Sequence, residues 1–181
     1  MTLSYSFTTL VALKAVAEGI SRLTVAESRP GCEGRRTACT AASFGIRTEL
    51  VTDTVACGAM RDADVALFGA EAICHDGTVV NKTGTLALCA AAKAFGKKTL
   101  AVATTSKILP EGHLPAIEEM PARELGAGIE GVAVRNPYFE QTPGRLIDRI
   151  VTESGELSLQ GLWQMALRLS QLLRELMPAL S

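Results

Sequence analysis

Aromatic residues are scarce in this chain: one Trp, two Tyr and five Phe, 4% of 181 residues. A core of aromatic anchors is thereby excluded, and the 48% hydrophobic content must come from aliphatic side chains. Charge of one sign is also lacking, with 18 Lys and Arg against 19 Asp and Glu. With no basic run and no basic-aromatic interleave, direct nucleic-acid binding is not expected. Only two histidines occur, and the five cysteines (Cys32, Cys39, Cys57, Cys74, Cys89) include no CxxC pair. Neither a metal site nor a disulfide framework follows from that pattern, and the compartment reads as reducing. No apolar run is long enough to cross a bilayer and no leader pattern opens the chain, so no membrane partner and a cytoplasmic location are expected.

What is present is alternation. Short aliphatic, β-branched runs alternate with helical patterns, the signature of an α/β fold with a mainly parallel sheet and helices on both faces. Strands are expected at Leu3–Ser6, Arg22–Ala26, Ile46–Thr52, Val65–Phe68, Lys98–Ala103 and Gly131–Val134. Helices are expected over Thr8–Ala17, Glu33–Phe44, Thr54–Met60 and Lys82–Phe95, the last stopped by Gly96. Asp76-Gly77 marks a tight turn between two strands. Residues 112–128 read as an irregular surface excursion, and Pro143 as the first position of a helix carrying Leu146, Ile147 and Ile150. The core domain is expected over residues 1–153. Residues 154–181 then form a C-terminal amphipathic helix whose stripe (Leu159, Leu162, Trp163, Ala166, Leu169, Leu173, Leu176) packs on the domain or on a partner.

The chemistry-bearing residues gather at strand ends. Gly69-Ala70-Glu71 follows one apolar strand, and Val79-Val80-Asn81-Lys82-Thr83-Gly84-Thr85 follows the turn. One carboxylate, one amide and one ammonium are thereby set near a strand end and a helix start, where α/β folds commonly hold phosphorylated ligands. Glu71, Asn81 and Lys82 are expected to converge on one cavity. Asn81 also suits a helix N-cap, and Asp53 reads either as a ligand contact or as the cap of the helix at Thr54. Arg29, in a strand-to-helix loop, is placed for an anion. Glu33 to Arg36 reads as a helix turn whose charges pair with one another or with solvent.

Those segments, taken with Glu27-Ser28-Arg29-Pro30, Glu33-Gly34-Arg35-Arg36, Val51-Thr52-Asp53-Thr54, Arg135-Asn136-Pro137-Tyr138-Phe139-Glu140 and Thr142-Pro143, form an ordered set. The set resembles the superfamily of the alpha, beta and delta regulatory subunits of translation initiation factor 2B. Methylthioribose-1-phosphate isomerase and ribose-1,5-bisphosphate isomerase are its enzymatic relatives. The resemblance covers roughly residues 2–153 and implies the C-terminal, Rossmann-like domain of that family without its helical N-terminal domain. It further implies a sugar phosphate or nucleoside monophosphate ligand, homodimer formation, a helical-domain partner where that half is supplied separately, and no cofactor. Asn81 and Lys82 fall at positions that contact the sugar, and Lys107 at a Ser-Lys that faces the same edge.

The isomerases use a cysteine after the first strand and an aspartate as acid and base. Here Ser4, within Thr2-Leu3-Ser4-Tyr5-Ser6, stands at the cysteine position and Glu71 at the aspartate position. A serine hydroxyl is a far weaker acid than a thiol, whose reference pKa is about 8.5, so it does not replace the thiol as proton donor. The expectation is therefore a regulatory or ligand-binding protein that self-associates without isomerase activity. The alternative is a divergent aldose-ketose isomerase with Glu71 as base and Cys57 or Cys74 as donor.

Overall fold

Two runs of short aliphatic strands are zipped together by the first residue of the chain. In the computed structural model, which describes residues 1–126 and 130–176, β1 (Thr2–Leu3) pairs in parallel with β2 (Leu23–Ala26), and β2 with β3 (Thr48–Val51). Further along, β4 (Val65–Phe68) pairs in parallel with β7 (Lys98–Val102), β7 with β9 (Arg149–Thr152), and the short β10 (Gly155–Leu157) closes the edge antiparallel. The Met1 amino group donates to the Val65 carbonyl at 2.8 Å and the Leu67 N–H to the Met1 carbonyl at 2.8 Å. The resulting strand order is β3-β2-β1-β4-β7-β9-β10. Strand order reverses between β1 and β4, and ligands of open α/β sheets bind at the carboxyl ends of the strands at such a switch point.

The helices are sorted by which side of the strands they bury. Leu23 and Val25 pack with Leu13 of α1 (Phe7–Ala15) and Ala41 of α2 (Gly34–Ser43) on one face. On the other face Ala26, Ala66, Phe68 and Ala101 pack with Ala56 of α3 (Asp53–Ala59), Leu88 and Ala92 of α4 (Thr85–Ala94), and Leu162 and Ala166 of α5 (Leu159–Leu176). Both layers follow from period-two alternation in strands whose two faces are covered. No helix among the described residues is long and apolar enough to cross a membrane.

A second, antiparallel sheet has the order β5 (Ala72–Ile73), β6 (Val79–Lys82), β8 (Phe139–Thr142). The Asp76-Gly77 turn makes the expected hairpin, and β6 then delivers the chain to α4. Three local expectations are corrected. Lys82 ends a strand and does not begin the helix, because Val79 to Lys82 pairs with β8 along its whole length. Ile150 belongs to β9 and not to a helix from Pro143. A single 3-10 turn spans Gly144–Leu146, after which the β-branched run Ile150-Val151-Thr152 pairs with β7. Gly131–Val134 is irregular, not a strand. In the excursion the described part holds one 3-10 turn, Ala122–Leu125, while residues 127 and 128 lie outside the described residues.

Asp148 braces the approach to β9. Its carboxylate accepts from Lys93 Nζ at 2.6 Å and from the Thr99 N–H at 2.9 Å, and the Lys93 hydrogen bond foremost holds its pKa down to about 2. A depressed carboxylate contributes stability above its ordinary pKa and loses it as pH falls through the folded value. Urea titrations are therefore expected to show stability falling between about pH 4 and pH 2, with that segment of the loss flattened in Asp148→Asn.

Candidate functional site

The carboxyl ends of β1 and β2 carry unusual backbone. Ser4 (φ 58°), Ser28 (φ 63°) and Cys32 (φ 55°) are in the left-handed region that non-glycine residues seldom occupy. Such conformations persist only where the surroundings over-determine them, and they cluster at ligand sites. The loop after β2 is also fixed by contact: a Cβ at Gly34 would lie 1.9 Å from the Ala26 carbonyl oxygen, so only glycine fits. At the switch point, a Cβ at Gly69 would lie 2.5 Å from Ser6 Oγ, so the chain leaving β4 presses directly on the first turn of α1.

That first turn is an anion-ready surface. Ser6 is the N-cap, its Oγ accepting from the Thr9 N–H at 3.3 Å, and the first N–H groups of a helix have no intrahelical acceptor. Among the described residues Thr9 Oγ1 is buried without a hydrogen-bond partner, and it would stand 3.5 Å from a Cβ at Gly69. The amino end of α4, by contrast, is already filled. Glu140 Oε1 accepts from the Gly84 N–H at 2.7 Å and the Leu86 N–H at 2.9 Å, which places the protein's own carboxylate where a phosphate would sit.

The expected site residues divide into separate pairs. Glu71 and Lys107 meet: the ammonium is 3.2 Å from Glu71 Oε2, and both side chains face solvent, at 55% and 37% exposure. Lys107 is carried on the 3-10 turn Thr105–Lys107, which Glu153 pins by accepting from the Thr105 N–H and hydroxyl. That hydroxyl contact holds the Glu153 pKa below the usual carboxylate range. Lys82 is buried and turns to Glu33, its Nζ 2.8 Å from Oε1, while lying 3.9 Å from the Tyr138 ring centroid. The Tyr138 hydroxyl in turn donates to Glu124, and that hydrogen bond pushes its pKa up to about 12.

Asn81 donates to Thr85 Oγ1 at 3.0 Å, a bond that ties β6 to the first turn of α4. Asn81 and Lys82 are consecutive in a strand and so point to opposite faces, which is why the three expected residues do not share one cavity. A cavity of about 300 Å³ beside them is lined by Leu3, Asp53, Cys57, Gly84 and Leu88, and none of the three lines it. The Arg29 side chain is exposed; its backbone N–H donates to Asp53 Oδ2 at 2.8 Å. Asp53 is not the cap of α3, since Thr52 holds that position and Asp53 is the first helical residue; its Oδ1 accepts from the Ser28 N–H at 2.8 Å.

Glu33 is the residue that sequence reading missed. Its sequence reads as a helix turn whose arginines pair with Glu33 or with solvent, yet the partner of Glu33 lies 49 positions away. The one local signal is the pair of glycines, Gly31 and Gly34, that flank it: a Cβ at Gly31 would stand 2.6 Å from Glu33 Oε1, so the loop makes room for an inward carboxylate. Of the two alternative thiol donors, Cys57 lines the 300 Å³ cavity, and Cys74 is buried, its pKa raised foremost by that burial.

A 3-2-1-4-type parallel sheet with helices on both faces defines an α/β domain of the Rossmann type. The chain belongs to the initiation factor 2 subunit family, whose model matches residues 1–158. Ribose 1,5-bisphosphate isomerase of Methanocaldococcus jannaschii is 35% identical over 143 residues, 76% of this chain and 46% of that one. Methylthioribose-1-phosphate isomerase of Xylella fastidiosa strain M23 is 37% identical over 153 residues, 77% of this chain and 43% of that one. Among solved structures, 5-methylthioribose 1-phosphate isomerase from Pyrococcus horikoshii OT3 superposes with a TM-score of 0.76 at 25% identity, covering 97% of this chain and 54% of that one. The translation initiation factor eIF-2B of the same organism gives 0.74 at 29% identity, covering 86% and 56%. The chain thus spans about half the length of the relatives it matches.

Proposed function

We propose that this domain binds a phosphorylated pentose at the switch point and interconverts its aldose and ketose forms, with Glu71 and Lys107 as the working pair. The observation that carries the reading is the Glu71 carboxylate held 3.2 Å from the Lys107 ammonium, two residues beyond the glycine that presses on the first turn of α1. The curated relatives named above, both phosphosugar isomerases, support it further. In this arrangement the ligand's phosphate rests on the free N–H groups of α1. The C1–O4 bond of the furanose breaks as Lys107 gives a proton to O4, and the Glu71 carboxylate takes the proton from C2, whose electron pair forms the C1=C2 bond of an enol phosphate; the C2 hydroxyl then returns a proton to Lys107 as C2=O forms, and Glu71 gives its proton to C1. No co-reactant is required, since the substrate is an isomer of the product.

Ser4 favours a second reading, ligand binding without turnover, because a hydroxyl there does not supply the acidic proton of a thiol. One experiment separates the two. The purified protein is titrated by calorimetry with ribose 1,5-bisphosphate and 5-methylthioribose 1-phosphate, and ketose formation is followed by phosphorus NMR. Saturable binding with conversion is the expected result. Binding of these sugars or of a nucleoside monophosphate without conversion establishes the second reading, and no binding of any of them overturns both.

A further inference from the structure

The geometry points to Asp53 as a positioning residue: from the end of β3 it sets the backbone of Ser4, two strands away, through Ser28. The inference rests on the switch-point reading of the ligand site, which it deepens by saying what holds that site's floor in place. Asp53 spends both carboxylate oxygens on consecutive backbone donors, Oδ1 on the Ser28 N–H and Oδ2 on the Arg29 N–H, each at 2.8 Å. Charged acceptors make the stronger class of hydrogen bond, and a bidentate grip fixes orientation as well as distance. The grip falls on the turn in which Ser28 is left-handed and 1% exposed.

Ser28 passes the constraint on. Its Oγ donates to the Ala26 carbonyl at 3.3 Å and accepts the Ser4 N–H at 2.6 Å, while the Ser4 carbonyl accepts from Thr37 Oγ1 at 2.6 Å. Ser4, also left-handed, is held from both sides in a conformation it does not prefer. A left-handed serine placed between β1 and the cap of α1 aims the N–H groups of the first turn, and an ångström of drift in such a turn is enough to weaken binding or chemistry about a hundredfold. In this scheme Asp53 acts through the two backbone donors it holds and not by touching the ligand.

The test has one arm that needs no ligand. Amide hydrogen exchange by NMR is expected to show the Ser4 N–H exchanging at least about tenfold faster in Ser28→Ala and in Asp53→Ala, with the Leu67 and Ala101 amides of the same sheet unchanged. Asp53→Asn, which keeps one acceptor oxygen, is expected to fall between, and serves if the alanine variant does not fold. In the second arm, affinity for ribose 1,5-bisphosphate falls at least about tenfold in Asp53→Ala and Ser28→Ala alike, and the double variant is no worse than either, as for residues acting in one chain. Unchanged Ser4 exchange, or strictly additive losses, overturns the inference. Absence of binding by the unsubstituted protein overturns the proposed function instead, and the exchange arm still decides the role of Asp53.

Discussion

Lys82→Met is expected to destabilise the protein by about 2 to 3 kcal/mol, because it strands the Glu33 carboxylate beside an apolar side chain. The lysine is 5% exposed and Glu33 30%, so the residual charge keeps some solvent, and the loss sits below the full penalty for a completely buried orphan. One Glu33 oxygen, Oε2, is already buried without a hydrogen-bond partner among the described residues, and Lys82 is the carboxylate's one side-chain donor among them, so removing it leaves both oxygens unpaired there. Loss of the contact with the Tyr138 ring adds to the effect. The double variant Lys82→Met with Glu33→Gln is expected to recover part of the loss, since it neutralises the stranded charge. Urea denaturation of the three proteins measures this. A Lys82→Met variant within about 0.5 kcal/mol of the unsubstituted protein would show that the pair is solvated and not structural.

The same pair explains why a substantial part of the fold was legible in the sequence and less of the site. Val65 to Phe68 is a run of aliphatics closed by Gly69 and stands where its pattern puts it, and the alanine-rich helix stopped by Gly96 ends as expected but begins at Thr85 and not at Lys82. β9 was misread because Pro143 followed by Leu146, Ile147 and Ile150 also satisfies helical spacing. The decision for strand comes from β7, some fifty residues earlier, which offers Ile150 and Val151 a parallel edge.

Site residues suffer more from this non-locality. Glu33 finds Lys82 at 49 positions, Lys107 finds Glu71 at 36, and Asp53 finds Ser28 at 25. None of those separations leaves a trace in spacing. Asn81 and Lys82 face opposite ways because the strand β6 runs through Lys82, and a helical reading that begins at Lys82 hides that alternation. The left-handed serines are legible only in part: a Ser-Arg-Pro turn after a strand announces a special loop, but Ser4 carries no local mark, and its conformation is imposed by Ser28.

Glu71→Gln is expected to abolish measurable aldose-to-ketose conversion, with a fall of about 10²- to 10⁴-fold, while the affinity for the phosphorylated pentose changes by less than about threefold. The amide keeps the shape and the hydrogen bond that Lys107 Nζ gives to an oxygen, so the ligand's surroundings are preserved. What disappears is the one group able to take a proton from carbon. A fall in turnover with constant KM is the mark of a group used in the transition state and not in binding. Lys107→Met separates the partner's role. It leaves the base in place but removes the proton donor to the ring oxygen, so turnover is expected to drop with the carboxylate unchanged. Conversion that survives Glu71→Gln would move the base elsewhere, and the exposed Glu71–Lys107 contact would then be an ordinary surface ion pair of the kind that contributes little.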